Sequence, residues 1–230
     1  MTILLLLVVT LFIIHSIIPT YYHKYFNPKA IKQTNGSGML LTFDDGPDIT
    51  YTEELLDLLK KHDVKAVFFV VTKNVKKYPH LMKRMIQDGH EIGLHSLEHK
   101  NAWLYSYSYT KKDFEQSLEI MKLLDIPCHY YRPPWGHTNL FTSYFLKKHR
   151  LKLCLWDVMV DDWKNQPESA LADRIVQNCH NHSIICLHDA SHDALADQGA
   201  PLNTIRALDI AIPQLKLKQM NFISLKRSGL

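Results

Sequence analysis

From Met39 to Leu225, short and largely apolar runs alternate with stretches whose apolar residues recur at helical spacing. An apolar run too short for a helix reads as a strand buried on both faces, and a helical stripe reads as the helix that covers it. The strand-like runs are Met39–Phe43, Ala66–Val71, Ile92–Leu94, His129–Tyr131, Leu153–Val158, Ser183–Leu187 and Phe222–Leu225. The helical stripes are Thr52–His62, Val75–Asp88, Lys111–Leu124, Leu140–Lys148, Pro167–Cys179 and Asn203–Leu217, with Gly89 stopping the second. Such alternation within one chain of 230 residues predicts a single α/β domain, a distorted (β/α) barrel of about seven or eight strands.

The amino terminus has a different character. Ile3 to Ile18 is apolar except for Thr10, His15 and Ser16, and Pro19, Tyr21, Tyr22, Tyr25 and Phe26 follow. An apolar stretch followed by an aromatic belt predicts a membrane-anchor helix. It has neither a charged leading region nor an A-x-A-like cleavage site, so a retained signal-anchor over residues 1–26 is expected rather than a removed signal peptide. Residues 27–38, ending in Asn35-Gly36-Ser37-Gly38, read as a linker, and 39–230 as the folded domain. The expected location is the cell membrane, single-pass, with the domain on the outer face. Lys24, Lys29 and Lys32 follow the span and no Lys or Arg precedes it, so the positive-inside rule argues for the opposite orientation.

Lys plus Arg number 27 and Asp plus Glu 23, for a net charge of +4. The lysines are scattered without an aromatic-studded basic stripe, which excludes a nucleic-acid partner. Cys128, Cys154, Cys179 and Cys186 show no metal-ligand spacing and no disulfide framework. Nothing in the composition sets the oligomeric state.

Five polar stretches end or follow apolar runs: Thr42-Phe43-Asp44-Asp45-Gly46-Pro47, His95-Ser96-Leu97-Glu98-His99, Arg132-Pro133-Pro134-Trp135-Gly136, Asp161-Asp162-Trp163 and Leu187-His188-Asp189. In a (β/α) barrel, active sites lie at the carboxyl ends of the strands, so the five converge on one face. Of the adjacent carboxylates, one can bind a metal while the other faces an attacking water as general base. A helical turn would set His95 and His99 on one side, and two histidines with one carboxylate form a three-ligand, open-position site that admits Zn²⁺, Co²⁺ or Ni²⁺. Arg132 can hold a carboxylate through a bidentate contact. Trp135 and Trp163 can wall a sugar ring. His188 suits a general acid for a leaving amine, and an acidic partner would keep it protonated.

These residues, in this order, resemble the polysaccharide deacetylases of the NodB-homology group, carbohydrate esterase family four. Ala66-Val67-Phe68-Phe69-Val70 and Gly89-His90-Glu91-Ile92-Gly93 resemble the family's framework, and the resemblance runs from about Met39 to Leu225. It implies a metal-dependent hydrolase, most simply Zn²⁺-dependent, that removes N-acetyl groups from N-acetylhexosamine units of peptidoglycan or a chitin-like glycan. It implies Asp44 as general base and Asp45, His95 and His99 as metal ligands. Arg132 would orient Asp44, His188 would be general acid, and Leu187 would line the acetyl pocket. The family's fourth motif commonly reads Asp-x-x-Asp-Trp. Here Met159 stands in the first position while Asp162 and Trp163 match, so Asp162 or Asp157 is expected to orient His188. A deacylase of a lipid-linked sugar and a catalytically silent glycan-binding module are the alternatives.

Overall fold

A parallel sheet organises the protein, whose computed structural model describes residues 2–36, 38–191 and 196–225. Ser37 of the 27–38 stretch and residues 226–230 of the 39–230 domain lie outside the described residues. The strands are β1 (Leu40–Asp44), β2 (Val67–Val71), β3 (Glu91–Ser96), β4 (Tyr130–Tyr131), β5 (Lys152–Leu153), β6 (Val158–Met159) and β7 (Ile184–His188). They pair in the order β5-β4-β3-β2-β1-β7-β6, every pair parallel. The sheet curls into a half-barrel with helices on its outer side. Its edges, β5 and β6, are consecutive in sequence. Between them runs the 27–38 stretch, where Ile31 bridges Cys154 and Gln33 bridges Ser183. This segment is therefore pinned along the seam of the half-barrel and is not a loose tether.

Side-chain alternation divides each strand between two cores. Leu41, Phe43, Phe68, Val70, Ile185 and Leu187 face outward and pack with the helices. Leu40, Val67, Phe69 and Ile184 face inward, where Ile31, Cys154 and Leu225 join them as an apolar floor. Further along the strands the interior turns polar, first at Thr42 and then at Asp44 and His188, both in buried or nearly buried positions.

Three elements depart from the sequence-based expectation. The run Leu153–Val158 is two short strands, because the carbonyls of Cys154 and Leu155 accept from Arg132 at 3.2 and 2.9 Å. The run Phe222–Leu225 is reduced to a single bridge from Phe222 to Met39. Val75–Asp88 is two helices, Thr72–Lys77 and Pro79–Gln87, because Pro79 pushes Tyr78 out of helical geometry (φ −127°, ψ 60°). The other helices, Thr52–Lys61, Tyr107–Leu123, Thr142–His149, Glu168–Asn178 and Ala200–Leu217, differ from the expected spans chiefly at their ends. All four cysteines are free.

Candidate active site

The five polar stretches meet above the polar end of the half-barrel. A cavity of about 320 Å³ there is lined by Asp44, Asp45, His95, His99, Trp135, Trp163 and His188, together with Lys24, Trp156, Met159, Cys186 and Ala196.

Asp44 ends β1 and Asp45 turns away from it with φ 81°, so the two carboxylates separate. Arg132 is fully buried and comes from the end of β4. Its Nη1 donates to Asp44 Oδ1 and to Thr42 Oγ1, each at 2.7 Å. The contact with Asp44 is thus through one nitrogen and is not bidentate, because Nε and Nη2 are spent on the carbonyls of Cys154 and Leu155. The guanidinium also lies over the Phe69 ring at 4.1 Å. Three backbone or side-chain anchors besides Asp44 fix its plane.

His95 lies in β3 and His99 in the turn after it, at φ 52°. No helical turn joins them; a tight loop does, with the His99 N–H donating to Ser96 Oγ at 2.9 Å and the Leu97 N–H to Asp113 Oδ1 at 2.9 Å. His95 Nδ1 meets the Arg132 carbonyl at 2.8 Å, which leaves Nε2 to the cavity. Nε2 of His95 and of His99 approach Asp45 Oδ1 to 3.2 and 2.9 Å. Despite these approaches Asp45 Oδ1 is buried without a hydrogen bond. Burial opposes its charge, yet His99 and His95 outweigh burial and hold the carboxyl well below the usual carboxylate range. One ligand atom from each residue lies within 4.8 Å of the others. An orphaned buried carboxylate oxygen facing two imidazole nitrogens is the donor set of a divalent metal with coordination positions left open.

His188 ends β7 opposite Asp44. Its Nδ1 meets Asp162 Oδ1 at 2.9 Å. Asp157 is instead engaged with the Ile184 N–H and Gln33. Burial lowers the imidazole's proton affinity, but Asp162, and beyond it Asp45 and Asp44, push it up to about 10. Trp163 stands edge-on to the His188 ring, centroids 5.7 Å apart. Trp135 lies 4.5 Å from the His99 ring. Leu187 is not in the cavity: between Cys186 and His188, which line it, strand alternation turns Leu187 into the outer core.

Several contributors escaped the sequence reading. Trp156 sits inside a run that looks like plain strand. Asp189, next to His188, accepts from the Gly46 N–H at 2.9 Å and Thr52 Oγ1 at 2.7 Å, tying the Asp45 turn to β7; a Cβ on Gly46 would lie 2.2 Å from it. Lys24 gave no signal, because it belongs to the amino-terminal helix.

Residues 31–154 match the family model for polysaccharide deacetylase. A peptidoglycan-N-acetylglucosamine deacetylase of Bacillus cereus is 32% identical over 83% of this chain and 68% of its own length. The peptidoglycan-N-acetylmuramic acid deacetylase PdaC of Bacillus subtilis is 32% identical over 80% of this chain, but the match spans only 41% of PdaC. Among solved structures, the Bc1960 peptidoglycan N-acetylglucosamine deacetylase superposes with a TM-score of 0.79 at 28% identity, covering 91% of this chain and 95% of that one. The half-barrel, the clustered strand-end residues and these relatives agree, and the chain belongs to the polysaccharide deacetylase family.

Proposed function

We propose that this protein is a metal-dependent hydrolase that removes N-acetyl groups from N-acetylhexosamine units of a cell-wall glycan. Asp45, His95 and His99 hold the metal, with Zn²⁺ the best match to the donor set and Co²⁺ or Ni²⁺ admitted by it. When bound, the cation supplies Lewis-acid polarisation of the amide carbonyl and of a water molecule. Asp44 accepts the proton of the attacking water. The Arg132 guanidinium holds its Oδ1 in place at 2.7 Å. His188, oriented by Asp162, presents Nε2 to the cavity and gives its proton to the leaving amine. Trp135 and Trp163 flank the sugar as apolar walls. The observation that carries the reading is the placing of two groups able to accept and donate protons, Asp44 held by a buried arginine and His188 held by a buried carboxylate, in one cavity with the Asp45–His95–His99 cluster.

The test is acetate release from N-acetylglucosamine oligomers and peptidoglycan fragments by the metal-loaded protein. Asp44→Asn is expected to keep its metal and lose about a thousandfold or more in rate, in line with removal of a general base. Acetate release that survives Asp44→Asn would falsify the assignment of the base.

We also propose that the Thr2–Phe26 helix, apolar enough to cross a membrane, holds the protein to the cell membrane with its catalytic domain on the outer face, where a cell-wall glycan is met. Protease treatment of intact cells checks this: a domain protected until lysis would place it in the cytoplasm.

A further inference from the structure

The amino-terminal helix does not leave the catalytic domain as a free rod. From Phe12 onward it is docked. Phe12 packs edge-on against Trp103 with centroids 6.0 Å apart, and Ser16 Oγ donates to the Trp103 carbonyl at 2.9 Å. Thr20 Oγ1 donates to the Thr138 carbonyl at 3.0 Å and accepts from Trp103 Nε1 at 2.8 Å. His23 Nε2 meets Ser143 Oγ at 3.0 Å, and the Leu140 N–H donates to the His15 carbonyl at 2.8 Å. Ser16, Thr20 and His23 are buried and repeat at helical spacing, so one polar stripe of the helix is committed to the domain.

The opposite stripe is apolar and uncovered. Ile14, Ile18, Tyr21, Tyr22 and Tyr25 are all exposed at helical spacing. The domain residues flanking the docked helix are of the same kind. Leu104, next to Trp103, is 80% exposed, and Leu140 and Tyr144, beside the His15 and Ser143 contacts, are each 55% exposed. Tyr107 is exposed too, and its ring meets Phe141, which in turn meets His15. Exposed leucines and tyrosines grouped around one helix form a surface apolar enough to need a partner.

Continuity identifies that partner. Residues 2–11, exposed on every side, belong to the same helix, which over Thr2–Phe26 is apolar enough to cross a membrane. Ile14 and Ile18 carry that apolar surface along the docked part, and Leu104 and Leu140 sit beside them. Charge agrees: Lys24, Lys29 and Lys32 follow at the far end of the helix, where anionic headgroups attract cations. Lys24 lines the catalytic cavity and also an adjoining one of about 220 Å³, shared with Lys32, Tyr21 and Tyr25.

We propose that the outward stripe of the docked helix, together with Leu104, Tyr107, Leu140 and Tyr144, lies on the lipid bilayer, so that the catalytic cleft opens at headgroup level onto glycan held at the membrane surface. The lipid contact rests on the membrane attachment proposed above, and the choice of glycan on the deacetylase reading.

The test uses the full chain in vesicles of phosphatidylcholine and phosphatidylglycerol. Nitroxides are attached one at a time at positions 104, 144 and 217, with Cys128 replaced by Ser and the three buried cysteines left in place. Leu217, 84% exposed at the end of a helix on the domain, is the aqueous reference. Labels at 104 and 144 are expected to collide more with lipid-soluble oxygen than with an aqueous nickel chelate, and the label at 217 the reverse. Aqueous behaviour at all three positions overturns the proposal. A second arm compares acetate release by wild type and by a Leu104→Asp, Tyr144→Asp variant, on soluble oligomers and on the same glycan carried on vesicles. The variant's rate on the carried glycan relative to the soluble one is expected to fall tenfold or more; an unchanged ratio overturns the presentation of glycan. If wild type releases acetate from neither substrate, the deacetylase reading fails, while the nitroxide collisions still decide the lipid contact.

Discussion

Asp162 grips His188 twice: its Oδ1 lies 2.9 Å from the imidazole Nδ1, and its Oδ2 accepts the His188 backbone N–H at 2.8 Å. Thr204 Oγ1 donates to the same Oδ2 at 3.2 Å. The carboxylate is buried and held on one side by β7 and on the other by the 200–217 helix. A histidine so held has one tautomer and one ring orientation, with Nε2 facing the cavity. Met159, at the position where the family commonly carries the orienting acid, is only part of the cavity wall.

Replacing Asp162 with Asn is therefore expected to lower the proton affinity of His188 and to cut acetate release about a hundredfold or more. In the metal-free protein the His188 pKa is raised from 6.5 to about 10. A pKa raised on folding stabilises fully below the unfolded value and is lost as pH rises toward the folded one. The pair should thus support the metal-free protein fully below about pH 6.5 and lose its contribution as pH climbs toward 10. Histidine NMR titration of metal-free wild type and Asp162→Asn checks this. A His188 resonance titrating alike in both would refute it. Metal loading, by placing positive charge near Asp45, should move the wild-type value down.

Arg132→Lys should destabilise the fold by about 2–6 kcal/mol, because the buried carbonyls of Cys154 and Leu155 each lose a donor at a cost of about 1–3 kcal/mol. A lysine ammonium cannot serve Asp44, Thr42 and the carbonyls of Cys154 and Leu155 together, as the guanidinium does. Urea unfolding at neutral pH measures the change, and a loss below about 1 kcal/mol, the range of an exposed pair, would contradict the arrangement.

The alternation of apolar runs and helical stripes was enough to read the α/β fold, because parallel strands covered on both faces leave an apolar signature that owes nothing to tertiary detail. What it hid were features made by contacts distant in sequence. The break between β5 and β6 is imposed by a guanidinium 22 residues upstream of Cys154, so no local pattern marks it. The resemblance put Leu187 in the acetyl pocket, but only the strand's facing decides which of two neighbours points inward. Lys24 entered the cavity from a segment that reads, on its own, purely as a membrane anchor. The pinned seam at Ile31 and Gln33 was equally invisible in a stretch with linker composition.

Metal and base should be separable by mutation. His95→Ala or His99→Ala removes one of three ligands, and each is expected to lose bound metal on dialysis. Asp44→Asn touches none of the three and should retain it. Elemental analysis of the three purified variants gives the answer directly. Equal metal content in wild type and His95→Ala would place the ion elsewhere.

Asp113 offers a pH test away from the cavity. It is 1% exposed and takes the Leu97 N–H on Oδ1 at 2.9 Å, steadying the loop between His95 and His99. Burial raises its pKa from 3.8 to about 7, against the opposing pull of the Leu97 N–H. Folding thus favours the protonated acid. Its stabilising effect is complete below about pH 4 and disappears as pH passes 7. Asp113→Asn keeps an oxygen for Leu97 and carries no charge at any pH. The variant should therefore gain stability relative to wild type between about pH 5 and pH 8. Urea midpoints of both proteins, measured without metal across that range, make the comparison. Parallel curves would mean that Asp113 is already ionised in the fold at acid pH, held there by the Leu97 N–H against the cost of burial.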